Sequence, residues 1–376
     1  MKRRKQRIDE PVRKARNTHF RRHTLKKSNI KNNLLLIGKV LLSAGLITWL
    51  LNGADFDAIW MTVKTANTAY LIAAFCMFYI GYLVIALRWQ SLLRAQNIHA
   101  SLSYLLESFT IAMLFNNLLP STIGGDAYRM YDIWKIGGNK SQSFSIILID
   151  RCFGMFALVC YGFVAAILAE EVREAIPGLV IYLGGILVAM LVFMWMVFGS
   201  GAGILDWFLN LNVRLLSLPQ RIITKLTSGL TLFRGRGGVL VRALLLSFVL
   251  QLNVIIHFII ITYALNIDVP WAGMFIIIPL ATLVMLLPVS INGVGVREAI
   301  FIFFFALYGV MAESAIAFAW VALAMLLAQG VIGGIVFILR RRKPGNNSHN
   351  SLGDTAPTDH SAGKNNAGRV DPEKTK

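Results

Sequence analysis

Two arginines, Arg129 and Arg297, occupy the same place in two copies of one short motif, nine residues after a proline. The first copy runs from Leu118 to Arg129 and the second from Leu286 to Arg297, 168 positions apart. Without gaps both read L-L-P-x-[S/T]-I-x-G-x-x-x-R. The planar guanidinium fork of an arginine suits bidentate contact with a phosphate or carboxylate. Pro120 and Pro288 each remove a backbone donor. Gly124, Gly125, Gly293 and Gly295 permit backbone that a helix does not use. Each copy follows an apolar stretch too short or too broken for an ordinary membrane span. Irregular backbone at membrane depth persists only inside protein or beside a wet cavity. Pro/Gly breaks at matching places in two halves of a chain point to a transporter's midplane site.

Other ionisable and polar residues gather around the motifs. Asp126 lies three residues before Arg129, a spacing that lets the two pair on a helix. The second copy has Val294 there, and its acid, Glu298, directly follows Arg297 on a different helix face. Asp126 therefore serves proton coupling in one half or simply neutralises Arg129. Asp150 and Arg151 open an apolar span, as a functional dyad or a local charge pair. Asn116 and Asn117 precede the first Leu-Leu-Pro and either bind a head group or tie the broken helix to its neighbour. A snorkelled interfacial position suits Arg129 better than Arg297, whose side of the membrane has no excess of basic residues. Together Asn116, Asn117, Pro120, Gly124, Gly125, Asp126, Arg129, Asp150, Arg151, Pro288, Asn292, Gly293, Arg297 and Glu298 form the candidate substrate-binding set. Glu107, Gln251, His257 and Gln329 are isolated in apolar stretches, where interhelical hydrogen bonding is the default. His257 has no spaced partner that suggests a metal. Cys76, Cys152 and Cys160 lie in apolar spans without a CxxC pair, which argues against a disulfide framework or a cysteine metal site. No Walker A lysine motif, HExxH or GxSxG occurs, so no catalytic residue, enzyme activity, metal or cofactor is expected. Any driving force is then an ion gradient, the membrane potential or the substrate gradient.

The elements that must position these residues are membrane helices. Hydrophobic residues make up 56% of the 376, and the mean hydropathy is +0.62. The net charge of +18 belongs mostly to the ends. Residues 1–32 carry thirteen Lys and Arg against Asp9 and Glu10, reading as a basic cytoplasmic tail on anionic lipid rather than a nucleic-acid arm. Six crossings are expected, at about 33–52, 69–90, 144–168, 179–199, 240–264 and 315–339. The first has too long a basic lead-in for a signal peptide and no convincing cleavage site. The two motif regions, 102–119 and 271–311, are re-entrant or fully crossing. The segment 200–239 suits a helix on the cytoplasmic interface, and 341–376 a disordered cytoplasmic tail. Asp55 and Asp57, then Glu170, Glu171 and Glu174, then Asp268 and Glu313 mark exterior loops. Arg88, Arg94, Arg214, Arg221 and Arg340–Lys343 mark the cytoplasmic side. An odd number of crossings separates the motifs, so the copies face opposite ways. The fold expected is all-α and polytopic, an inverted repeat with halves of about 33–199 and 200–340 inside an integral domain of 33–340.

Asn116-Asn117-Leu118-Leu119-Pro120, Gly124-Gly125-Asp126, Arg129, Asp150-Arg151, Leu287-Pro288, Asn292-Gly293-Val294-Gly295 and Arg297-Glu298 resemble, as an ordered set, one known family. This is the flippase-like transmembrane family related to the membrane half of lysylphosphatidylglycerol synthases. The resemblance covers about 33 to 340. It implies a polytopic domain that moves lipids or lipid-linked groups between leaflets. It does not imply lipid aminoacylation, which belongs to a separate soluble domain that the short tail after Lys343 does not provide. The expectation is a lipid flippase in a plasma membrane of the bacterial inner-membrane type, both termini cytoplasmic. Its partners are membrane lipids, with an anionic head group as substrate and no nucleic acid; a homo-oligomer is open. The competing expectations are a membrane enzyme or accessory protein acting on lipid-linked glycans or envelope lipids, and a scaffold recruiting partners through its basic tail.

Overall fold

A computed structural model describes residues 55–118, 123–198, 235–286 and 293–342, together with Gly45, Thr48 and Phe233. The expected crossing at 33–52, both tails, most of the interfacial segment 200–239, and Pro120, Pro288 and Asn292 lie outside the described residues. Everything described up to Phe337 belongs to one unit, and Ile338–Arg342, the last turn of the final helix, falls in a second.

The described residues form helices and no strand. Their order is α1 (Phe56–Lys64), α2 (Thr68–Ala95), α3 (Leu102–Leu118), α4 (Ile123–Lys135), α5 (Lys140–Leu168), α6 (Glu170–Ala175), α7 (Leu179–Phe198), α8 (Gly237–Ala264), α9 (Trp271–Met285), α10 (Val296–Ala306) and α11 (Ala312–Arg342). Five of them, α2, α5, α7, α8 and α11, are long and apolar enough to cross a membrane. They coincide with five of the six expected crossings.

Local chemistry sets the helix ends. Asp55 caps α1 through Asp57 N–H, and Asn67 caps α2 through Ala69 N–H. Asn139 and Gln142 close a reciprocal capping box at the start of α5. The C-terminal stops come in pairs. Asn97 after α2 and Asn266 after α8 both take the left-handed conformation, with φ of 59° and 52°. Both are followed by the same closing bond, Ile98 N–H to Leu93 C=O and Ile267 N–H to Thr262 C=O. Gly137 after α4 and Gly309 after α10 repeat the pattern, with Gly138 N–H to Ile133 C=O and Val310 N–H to Phe305 C=O.

These paired stops extend the duplication well beyond the motif. The unit α2-α3-α4-α5 recurs as α8-α9-α10-α11: a crossing, a broken helix pair, a crossing. The units are inverted, because α2 and α8 lie antiparallel against each other. Asn67 N–H bonds Ala264 C=O at 2.7 Å at one end, and Arg88 Nη1 donates to Ser247 Oγ at 2.6 Å towards the other. Each helix pair follows the C-terminus of its own crossing, so the two enter the molecule from opposite ends.

Both motif regions are re-entrant hairpins. At 1.5 Å per residue the 17 residues of α3 rise roughly 25 Å, short of a comfortable crossing. The chain then turns back: Asn116 on α3 accepts from Gly125 N–H on α4 at 2.8 Å, and Phe115 stacks on Tyr128 with centroids 5.0 Å apart. The tip reaches the middle of α11, where Asn117 Nδ2 donates to Leu326 C=O. In the second hairpin Gly293 returns beside Met285, while Gly273 and Tyr308 meet at the open end. Gly124 and Gly125 differ from expectation, since both lie within the first turn of α4. A Cβ at Gly125 would sit 2.6 Å from Asn116 Oδ1 and 2.7 Å from Ala112 O, so this glycine serves close helix approach. Gly293 and Gly295 do use left-handed backbone, at φ 77° and 84°.

Two apolar cores support the hairpins. One surrounds Trp89, Leu92, Leu93, Ile146 and Phe153, and the other Phe301, Phe305, Phe318 and the buried face of α9. Ile181, Val188, Leu191 and Trp195 leave α7 with an exposed apolar surface, which lipid solvates.

Candidate functional site

The first hairpin delivers its charges to a cavity of about 250 Å³ bounded also by α2, α5 and α8. Asp150 on α5 stands between two guanidiniums, with Arg88 Nε on α2 at 2.7 Å and Arg129 Nη1 on α4 at 3.0 Å. Asp126 is held by Arg151, whose Nη2 lies at 2.7 Å and whose Nε donates at 2.8 Å. A longer 3.5 Å contact links Asp126 to Arg129. The Asp150-Arg151 dyad is thus split, each member pairing with a motif residue or a neighbouring helix instead of with the other.

Formal charge gives this network its chemical character. Arg88, Arg129 and Arg151 face Asp126 and Asp150, leaving one positive charge in a largely apolar setting. A buried charge is costly unless it is paired, so the cavity is suited to one monoanion. Arg129 also has donors to offer. Its Nε and Nη2 are buried and lack a hydrogen-bond partner among the described residues. Its guanidinium lies 4.6 Å from the Trp89 ring centroid and 5.4 Å from that of Phe109, which hold it in place.

The second hairpin serves a separate cavity of about 260 Å³, to which α10 contributes Arg297. Tyr82, Asn253 and His257 supply the rest of its polar wall. Arg297 is buried at 8% exposure. Glu298, also buried, turns to the N-terminus of its own helix and accepts from Gly295 N–H at 2.7 Å. The two cavities are neighbours with a common wall: Ile85, Phe109, Met113 and Leu250 line both. A third cavity of about 420 Å³ lies at the open end of the second hairpin, among Trp271, Phe275, Tyr161 and Tyr308, and holds no motif residue.

Most candidate residues converge. Asn116, Gly125, Asp126, Arg129, Asp150 and Arg151 line the first cavity, and Arg297 the second. Asn117 is placed elsewhere, as a tie between the first hairpin and α11. Gly124 is buried in α4, Gly293 lies beside Arg297, and Glu298 caps α10. Arg88 was missed as a site residue because it reads as the interfacial charge that ends a crossing. At 3% exposure it is instead one of the arms of the network. Its place inside the apolar run 69–90 is the available signal, since an ionisable residue within a span marks function by default. The isolated polar residues do bond between helices: Gln251 to Gly154 C=O, Gln329 from Tyr82 Oη, and His257 to Ala74 C=O.

Known membrane proteins are similar to this chain in sequence. A UPF0104 membrane protein of Methanothermobacter thermautotrophicus is 26% identical over 293 residues, covering 74% of this chain and 85% of the relative. A UPF0104 membrane protein of Pyrococcus horikoshii is 26% identical over 172 residues, 45% of this chain; the chain spans half of that relative's length. The model of the lysylphosphatidylglycerol synthase TM region matches residues 36–341, a stretch that holds both hairpins, their crossings and both cavities. This integral membrane protein therefore belongs to the lysylphosphatidylglycerol synthase transmembrane-region family.

Proposed function

We propose that the chain is a lipid flippase, moving an anionic phospholipid or a polyprenyl-linked lipid between the leaflets of a plasma membrane. One observation carries the reading: two neighbouring cavities served by hairpins from opposite ends, each holding a motif arginine, with Ile85, Phe109, Met113 and Leu250 lining both. A head group with one negative charge balances the first cavity, and Arg129 has donors to receive it. Acyl or prenyl chains remain in lipid against the exposed apolar helix faces. The family's name supports a lipid-related role. Transport is favoured over catalysis because Asp126 and Asp150 are both engaged by guanidiniums, as counter-charges within ion pairs.

The test is transfer of a fluorescent phosphatidylglycerol by the purified chain in proteoliposomes. Arg297→Ala should slow transfer from the leaflet served by the second cavity more than transfer in the opposite direction. Loss of charge-assisted hydrogen bonds worth about 1.5–3 kcal/mol corresponds to roughly 10- to 100-fold. A folded Arg297→Ala protein that transfers the lipid as fast as the parent in both directions defeats the proposal.

A further inference from the structure

The inverted repeat relates each residue of the first cavity to a counterpart in the second, and the counterparts differ in charge. The paired stops Asn97 and Asn266 align α2 with α8 at an offset of 169, which places Arg88 opposite His257. Packing agrees with this alignment. Arg88 touches Ser247 across the α2/α8 pair. The equivalent contact runs from His257 to Phe78, and these rings lie 4.7 Å apart. Arg129 corresponds to Arg297 through the motif. The stops Gly137 and Gly309 align α5 with α11 at an offset of 172, which pairs Asp150 with Ala322. Both line their respective cavities. Asp126 corresponds to Val294 and Arg151 to Leu323. The second cavity has therefore lost both carboxylates and the Arg151 position, kept one arginine, and replaced the other with a histidine.

The tautomer of that histidine follows from its partner. His257 Nδ1 lies 2.8 Å from the Ala74 carbonyl oxygen, which can only accept, so Nδ1 carries the proton. Protonation then occurs at Nε2 and makes the ring a cation, while the Ala74 bond is retained in both states. The charged and titratable groups around it come from few elements. The α2 helix brings Tyr82, whose hydroxyl donates to Gln329 Oε1 on α11. The α10 helix brings Arg297 and its neighbour Glu298. The cavity walls from α9 and α11 are Met285, Ala322 and Leu326, and α8 itself adds only Asn253. Glu298 caps α10 and does not line the cavity, so Arg297 supplies its one fixed charge. A proton on His257 adds a second cation, so that His257 and Arg297 then match the Arg88 and Arg129 pair of the first cavity.

We infer that His257 and Arg297 form a proton-linked binding site for a phosphodiester anion in the second cavity, with protonated His257 standing where Arg88 stands in the first. The inference rests on the anionic-lipid reading above and adds to it that the second cavity takes up a proton with its lipid. The first cavity, whose cations are all arginines, binds independently of pH across the physiological range. Binding at the second is strongest at acidic pH and weakens as His257 loses its proton, by up to tenfold per pH unit above the point where it titrates.

The experiment uses the full chain in detergent and dihexanoyl-phosphatidylglycerol as probe, with calorimetry at pH 5.5 and 8.0. The second-cavity component is the binding that Arg297→Ala abolishes. In the parent protein this component should be about tenfold or more tighter at pH 5.5, with proton uptake detected between buffers of different ionisation enthalpy. His257→Gln, which keeps a donor for Ala74, should bind at pH 5.5 as the parent does at pH 8.0. His257→Arg should bind at both pH values as the parent does at pH 5.5. A second-cavity component insensitive to pH, or one that keeps the parent's pH dependence in His257→Gln, overturns the assignment of His257 and leaves the flippase reading standing. A parent protein that binds no lipid at either pH overturns both.

Discussion

At the scale of single residues, Asp150 carries the greatest electrostatic burden in the described structure. It faces two guanidiniums, and the side chains of Asp150, Arg88 and Arg129 are only 4–5% exposed. A buried ion cluster of this kind adds little net stability over well-packed apolar residues, because desolvation offsets the attraction. Breaking it is a different matter. Asp150→Asn leaves Arg88 and Arg129 buried together without their shared counter-charge, a loss of about 3–5 kcal/mol. Arg151→Gln should be far milder, about 1 kcal/mol or less, because its side chain is 39% exposed and solvent screens the pair it makes. Denaturant titration in a fixed detergent separates the two. An Asp150→Asn protein as stable as Arg151→Gln would show that the guanidiniums find other partners. The second cavity meets the same problem with fewer charges, which is why apolar Ala322 is tolerated opposite Asp150.

At the scale of elements, the hairpins place their arginines on either side of the partition of Ile85, Phe109, Met113 and Leu250. Those four side chains come from α2, α3 and α8, so the wall is built where the two crossings meet the first hairpin. If head groups pass from one cavity to the other, they pass here. Leu250→Trp should therefore cut transfer in proteoliposomes at least about tenfold, the effect of an added barrier of about 1.4 kcal/mol, while dihexanoyl-phosphatidylglycerol still binds. Unimpaired transfer by this variant would place the route elsewhere. The hairpins themselves were legible in the sequence, because a Pro/Gly break in an apolar run has few other uses. Five crossings were legible for the same reason, that lipid tolerates little but uninterrupted apolar helix. The fine detail was hidden. Nothing in Gly125 alone distinguishes a kink from a packing notch, and that choice is made by Asn116 and Ala112 opposite it. Arg88 looked like an interfacial charge because only the fold brings Asp150, 62 positions later, to its side. The true reach of the repeat was likewise carried by capping geometry at Asn97, Asn266, Gly137 and Gly309, which no string comparison reveals.

At the scale of the molecule, charge is distributed by end. The end formed by the C-terminus of α2, the open mouth of the first hairpin and the N-terminus of α8 carries Arg94, Lys135 and Arg236. The opposite end carries Asp55, Asp57, Glu170, Glu171, Asp268 and Glu313, against Lys64 and Arg173. Lys and Arg near the ends of spans are retained on the cytoplasmic side, so the first hairpin should open to the cytoplasm and the second to the exterior. That orientation makes the second cavity the exterior one and exposes His257 to exterior pH when that cavity is open. It also gives the proton-linked site a direction, since an acidic exterior would load lipid there and a neutral cytoplasm would favour its release. Single cysteines decide the orientation, in a background with Cys76, Cys152 and Cys160 changed to Ala. Lys135 and Asp268 are both exposed, at opposite ends of the bundle. Asp268→Cys should react with a membrane-impermeant maleimide on intact cells, and Lys135→Cys only after the membrane is opened. The reverse pattern would invert the proposed direction while keeping the inverted repeat. Labelling of both from the same side would contradict the antiparallel α2/α8 pair on which every correspondence between the two cavities depends.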